Sequence, residues 1–324
     1  MSAFAVLSAG EIESTAAWIA SVQRGDGLIP WTTMGTADPW NHVESAMALD
    51  VAGRHLEARR AYEYLLGRQR PDGAFAADLN APDGGRVDTN TVAYLAVGLF
   101  HHLISTGDDH FARAAFPSLD DAISYVLRHQ LPGGAIAWNI DPGPDVARRA
   151  LVAGSSSIAM SLRAGARFAA CVGSPVEKWA AAAATVAAAV VNRTSEFFDN
   201  AVFAMDWYYP VLSGALRGEQ ALEHLDVDAC NFVTPFGVRC RSDARWVTTA
   251  ETAETAIAYA IAGDRASATR LLATLGDKRR PSGAYLTGLV YPERSEFPIG
   301  EETTYSAAAV VLAADLLSGG VATT

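Results

Sequence analysis

The feature that most constrains this chain is a turn written three times and echoed a fourth. The segments Gln23-Arg-Gly-Asp-Gly27-Leu-Ile-Pro-Trp31, Gln69-Arg-Pro-Asp-Gly73-Ala-Phe75 and Gln130-Leu-Pro-Gly-Gly134-Ala-Ile-Ala-Trp138 share one local pattern. Arg280-Pro-Ser-Gly283-Ala-Tyr285 is a fainter copy. Each follows a helical stretch, which the Gly and Pro residues stop and turn. The closing aromatic anchors the emerging loop on the core. Consecutive copies lie roughly 45–60 residues apart, room for two helices and two loops, and repeats of that period signal a closed or stacked array.

Apolar spacing at three and four residues predicts helices over 10–23, 41–53, 55–68, 88–106, 110–130, 154–173, 176–197, 206–218, 219–225, 247–263, 265–275 and 302–318. That makes six hairpins. Alanine-rich runs such as Ala180 to Ala189 favour close helix packing. Short strands are expected around Phe232 to Arg239 and Ala284 to Val290. No Gly/Ser/Pro-rich linker divides the chain, so residues 1–324 read as one domain. The odd-numbered helices, such as 55–68, carry scattered charge. The even-numbered ones, such as 302–318, are nearly free of charge after their first turn. A helix apolar all round is buried, so an inner ring sits inside an amphipathic outer ring. The predicted fold is all-α, an (α/α)6 toroid.

Charge and composition exclude several functions. A net charge of −11 disfavours nucleic acid and anionic membranes. The three cysteines, Cys171, Cys230 and Cys240, lack disulfide or zinc spacing, although a Cys230–Cys240 bridge across a loop is an option. Met1 to Gly10 has no signal-peptide pattern, and no stretch of about 18 apolar residues occurs. The expectation is a cytoplasmic protein acting on a small molecule or oligosaccharide, without metal or cofactor. His101 and His102, at the far end of an inner helix, read as structural.

The first turns of the inner helices hold the candidate chemistry. They are Trp40-Asn-His-Val-Glu44, Asp88-Thr-Asn90, Ser155-Ser-Ser157, Met205-Asp-Trp-Tyr-Tyr209, Thr248 to Glu254, and Gly300 to Tyr305. In a toroid these all begin at one end and converge on a funnel. Capping alone accounts for Asp88 and the Ser155 group, because Asp and Ser are preferred N-caps. Capping explains less well the large aromatics beside the acids, which suit stacking on sugar faces. Glu251 and Glu254 lie three apart on one helix face, where like charges repel and one tends to keep its proton. A pocket with several carboxylates supplies the acid and base that glycoside hydrolysis requires. A catalytic role is therefore expected for at least one of Asp206, Glu251, Glu254, Glu301 and Glu302. The candidate binding residues are Trp40, His42, Glu44, Asn90, Trp207, Tyr208, Arg239, Trp246, Glu254, Glu301 and Tyr305.

The segments Asp88-Thr-Asn-Thr-Val-Ala-Tyr94 to Asp108, Phe116 to Gln130 and Glu301-Glu-Thr-Thr-Tyr-Ser-Ala307 resemble the six-hairpin glycosidase superfamily, which includes glucoamylase-like and unsaturated-glucuronyl hydrolases. That resemblance implies chemistry by acids at inner-helix starts, matching Asp88, Asp206, Glu251 and Glu302 by position. Gln69 to Phe75 also resembles the Gln-to-Trp turn of terpenoid cyclases and protein prenyltransferases, which implies an isoprenoid substrate. The Asp-x-Asp-Asp and Asp-Asp-x-x-Asp motifs of that chemistry are absent from the sequence. Two further readings of the toroid are a sugar epimerase, for which only His42 is well placed, and a non-catalytic carbohydrate-binding protein.

Overall fold

The computed structural model describes residues 7–33, 35–81, 85–140 and 149–320. Helices alternate between two rings along the chain. Outer α1 (Ala9–Val22) leads to inner α2 (Pro39–Val51), and outer α3 (His55–Leu66) leads to inner α4 (Thr89–Ala93) and α5 (Leu95–Thr106), which are split by a turn at Tyr94. Outer α6 (Asp109–Leu127) precedes inner α7 (Val152–Cys171), and outer α8 (Glu177–Asn192) precedes inner α9 (Ala204–Leu212). Outer α10 (Gly218–Phe232) and inner α11 (Thr249–Ala262), then outer α12 (Arg265–Ala273) and inner α13 (Thr304–Leu317), complete the set. The inner helices touch in the cyclic order α2, α5, α7, α9, α11, α13 and back to α2, so the ring closes. The all-α toroid expected from the repeat is the fold observed.

The repeated turn sets the spacing of the outer ring. In all four copies the backbone makes the same bond across the turn. Arg24, Arg70, Leu131 and Arg280 donate N–H to the carbonyls of Leu28, Ala74, Ala135 and Ala284, each at 2.8 Å. The glycine of each copy has a positive φ, between 91° and 103°, a region that side chains disfavour. Space forbids a side chain as well. A Cβ at Gly27 would lie 2.3 Å from the Arg60 carbonyl oxygen on α3, and one at Gly73 would lie 2.4 Å from that of Asp121 on α6. Each turn therefore rests on the backbone of the following outer helix. The glutamine locks the contact. Gln69 donates to Gly73 O within its own turn and to Ser118 O on α6, and Gln23 does the same with Gly27 O and Glu57 O on α3.

A second device ties the loops to the inner ring. The first-turn threonines Thr89, Thr249 and Thr304 each donate both backbone N–H and hydroxyl to the loop that follows the next turn. Their acceptors lie in Ala137–Trp138, Leu286–Thr287 and Pro30–Trp31 respectively. These polar first-turn residues are thus latches between hairpins.

Two short sheets decorate the end at which the inner helices begin. Strands β1 (Val87–Asp88) and β2 (Asn139–Ile140) pair antiparallel. Strands β3 (Val233–Thr234), β4 (Gly237–Arg239), β5 (Trp246–Thr248), β6 (Gly288–Val290) and β7 (Ser295–Glu296) form one antiparallel sheet in chain order. The two strand regions anticipated from the sequence are among them. The expected helix pair 206–218 and 219–225 is redrawn. Pro210 and Gly214 end α9 early, while α10 runs on to Phe232, burying Ala221, Leu225 and Phe232 beneath an acidic outer face. Cys171, Cys230 and Cys240 are free thiols, so the Cys230–Cys240 bridge does not form. At the opposite end of the toroid, buried His102 meets the Asp50 carboxylate at 2.9 Å, and half-exposed His55 meets it at the same distance. No helix among the described residues is long and apolar enough to cross a membrane.

Candidate active site

A cavity of about 320 Å³ opens where the inner helices begin. Four carboxylates line it: Asp38, Glu44, Glu251 and Glu254. Trp31, Trp40, Trp246 and Tyr305 provide aromatic wall. The acids fall into two layers, and helix geometry explains why. Asp38 is the N-cap of α2, and Glu251 sits in the first turn of α11. Glu44 lies six positions past Asp38 on α2, and Glu254 three past Glu251 on α11, about 9 Å and about 4.5 Å further in at 1.5 Å per residue. The mouth therefore carries Asp38 and Glu251, and the floor carries Glu44 and Glu254.

The floor pair is engaged by aromatic donors. Glu44 Oε1 accepts from Trp40 Nε1 at 2.8 Å and from the Tyr94 hydroxyl at 3.1 Å. Glu254 accepts from the Tyr209 hydroxyl at 2.8 Å and from that of Tyr208. Burial pushes the Glu44 carboxyl up to about 7. Burial, with the neighbouring Glu44 charge, holds the Glu254 carboxyl well above the ordinary carboxylate range. This layer closes the funnel. Beneath it lies a smaller void lined by apolar side chains such as Met47, Met160, Leu212 and Leu312.

At the mouth, Asp38 Oδ1 caps α2 through Asn41 N at 3.0 Å. Its Oδ2 accepts from Trp31 Nε1 at 2.6 Å and from Asn41 Nδ2 at 2.7 Å. Surrounding protein nevertheless raises its pKa, because desolvation disfavours the charged form. Glu251 is half-buried on the α11 wall. A second cavity of about 340 Å³ shares the Trp31–Asp38 wall and carries Asp88 and Arg86. There Trp138 Nε1, from the loop after the next turn, donates to Asp88 Oδ2 at 2.6 Å, so an indole holds a second N-cap carboxylate.

Of the residues singled out in the sequence, Trp40, Glu44, Trp246, Glu251, Glu254 and Tyr305 line the central cavity, and Asp88 lines its neighbour. The others take different positions. His42 lies wholly within the core, where its Nδ1 accepts from Ile29 N at 3.1 Å and its Nε2 faces Ala61 O at 2.8 Å. Burial lowers its pKa to about 4, so it is a neutral brace between α2 and its neighbours. Asp206 turns toward α7 and accepts from Ala153 N at 2.9 Å, capping a helix whose own N-cap residue, Leu151, cannot do so. Trp207 stacks on Phe232 of α10, with ring centroids 5.2 Å apart. Tyr208 stands behind Glu254, and Asn90 is buried beside the α7 start.

The remaining three lie around the loops. Arg239 sits on β4 opposite Val247 and lines neither cavity. Glu301 accepts from the Thr287 hydroxyl at 2.8 Å. Glu302 pairs with Arg280 at 3.3 Å, outside the cavity. Asp38 and Trp31 were absent from the sequence-derived site. Their signal was the Asp38-Pro39 pair, an N-cap followed by proline at the first helical position, which starts α2 two residues before the predicted boundary.

A six-hairpin toroid whose funnel is lined with acids and aromatics suits a glycosidase, and a relative shows that class. The chain is 40% identical over 316 residues to an MMP endo-(1,4)-3-O-methyl-alpha-D-mannosidase of Mycolicibacterium hassiacum, a match spanning 97% of this chain and 88% of that one. It therefore belongs to the family of that mannosidase and is a glycoside hydrolase. Among solved structures, a glycosidase in complex with glucose superposes with a TM-score of 0.77 at 16% identity, covering 96% of this chain and 97% of its own. The GH63 mannosylglycerate hydrolase of Thermus thermophilus, also with glucose, superposes with a TM-score of 0.68 at 11% identity, covering 94% and 99%. At such identities these two structures speak for the fold. No protein-family profile matches the sequence.

Proposed function

We propose that this glycoside hydrolase cleaves internal α-1,4 bonds of a mannose chain carrying 3-O-methyl groups, with Asp38 and Glu251 making the proton transfers. The carrying observation is the mouth layer of the funnel, where these two carboxylates line one cavity with Trp31, Trp40 and Trp246. The substrate class follows from the 40% identical relative, whose name specifies that chain.

Division of labour follows from environment. Burial raises the Asp38 carboxyl, and in this reading Asp38 delivers a proton to the glycosidic oxygen as the bond to the anomeric carbon breaks. Glu251, half-buried on the α11 wall, removes a proton from the water that bonds to that carbon. The helices carrying the pair are separated in the ring by α13. We take the reaction as inverting, through a water interposed between the two carboxyl groups, a geometry that requires roughly 6.5–9.5 Å between them, against about 5–5.5 Å for retention. The floor pair, Glu44 and Glu254, lies deeper along α2 and α11 and, with its tyrosine and tryptophan donors, shapes the end of the pocket. Attack within a chain needs room on both sides of the cleaved bond, and the second cavity borders the first across the Trp31–Asp38 wall.

The test is hydrolysis of purified 3-O-methylated α-1,4-mannan, followed by product length and by the anomer first released. Internal fragments with inverted configuration are expected. Release of single terminal sugars only, or no cleavage, sinks the proposal.

A further inference from the structure

Trp246 lies on β5 and lines the central cavity, yet its outer side continues into an exposed apolar ridge. Its Nε1 donates to the Phe297 carbonyl at 2.8 Å, and the Phe297 ring meets the indole edge-on with centroids 5.4 Å apart. Phe297 is 53% exposed and Ile299, two residues on, is 91% exposed. The ridge is also held in place. Glu296 accepts from Gly300 N at 3.0 Å and pairs with Arg280 at 2.5 Å, bracketing the Phe297–Ile299 segment from both ends. A fixed ridge loses little conformational entropy when it binds.

We infer that Trp246, Phe297 and Ile299 form an outer subsite for the part of the sugar chain that leaves the central cavity on the α11 side, and that it selects chains bearing O-methyl groups. This rests on the carbohydrate substrate proposed above. The occupant follows from continuity, because a chain seated in the cavity against Trp246 meets this ridge as it exits. The selectivity follows from chemistry. Phe297 and Ile299 offer apolar contact rather than hydroxyl partners, and a methyl ether replaces a hydroxyl donor with a group that gains by leaving water.

The experiment compares Phe297→Ser/Ile299→Ser with the parent ridge, both in a Glu251→Gln background. Calorimetry measures the Kd of short and long 3-O-methylmannose chains and of unmethylated α-1,4-mannan chains of matched length. The double substitution is expected to weaken long methylated chains about tenfold, from lost apolar and aromatic contact. Short chains and unmethylated chains should change less than about twofold. An unchanged Kd for long methylated chains overturns the inference, and so does an equal loss for unmethylated ones. Sedimentation of the unsubstituted protein covers the other occupant of such a ridge. A dimer that the double substitution dissolves would make the ridge a contact between copies, and would also overturn it. Hydrolysis by the unsubstituted enzyme with no ridge effect sinks the subsite alone. Ridge-dependent binding without hydrolysis sinks the proposed reaction alone.

Discussion

Gly283 lies directly against Ser14: a Cβ built on the glycine would stand 2.4 Å from the Ser14 carbonyl oxygen. Because Gly283 belongs to the last turn and Ser14 to the first outer helix, this contact closes the ring. Nearby, Arg279 donates to the Ser14 hydroxyl at 2.6 Å. Gly283→Ala must therefore push the two ends apart as well as strain a φ of 92°. A loss of about 1–3 kcal/mol is expected from the overpacking, read by urea unfolding. Gly53→Ala is the control. Gly53 has a φ of 74° but open space around it, so it reports the backbone strain alone and should cost less.

If Asp38 and Glu251 divide the proton transfers, each amide variant, Asp38→Asn and Glu251→Gln, should lower kcat by about 10²–10⁴-fold. Asp206→Asn and Glu302→Gln should retain most of the activity, because those carboxylates cap α7 and pair with Arg280. Initial rates on one substrate across the four variants check this, and the reverse ranking would return the chemistry to Asp206 and Glu302.

Glu44 makes stability depend on pH in a direction opposite to that of a salt-bridged acid. Its pKa rises from 4.5 unfolded to about 7 folded, so the folded state holds the extra proton. Its contribution is fully present below pH 4.5 and is lost as pH rises through about 7. Glu44→Gln keeps an acceptor for Trp40 and Tyr94 but cannot titrate. Between pH 5 and 8 the unsubstituted protein should lose more stability than this variant, as measured by denaturant midpoints at both values. Equal slopes would mean that Glu44 is not buried in its neutral form.

His42 has the opposite sign. Its pKa falls from 6.5 to about 4, so its contribution is present above pH 6.5 and is lost as pH falls through about 4. His42→Ala leaves Ile29 N and Ala61 O without their partner inside the core. Destabilisation of about 2–5 kcal/mol is expected at neutral pH, and the deficit should shrink toward pH 4. Thermal unfolding of both proteins at the two pH values tests it.

The sequence by itself determined the toroid, because the devices that build it are local. A turn that needs glycine at positive φ, a glutamine four residues before it, and helices charged on one face or on none can be read within a few dozen residues. It also placed Trp40, Glu44, Trp246, Glu251, Glu254 and Tyr305 at the funnel, since every inner helix begins at the same end. Only the tertiary structure decided which polar first-turn residues face inward. Asp38 and Asp206 are both acids at the start of an inner helix. Asp38 looks into the cavity because Trp31, from the preceding loop, holds it there. Asp206 turns aside because the start of α7 lacks a cap of its own. Rotation about a helix axis and the needs of a neighbouring helix settle such choices, and neither is written in the residue's own segment. The two layers of the funnel have the same origin: depth is a matter of six positions along α2 and three along α11, but their meeting at one floor depends on the ring closing.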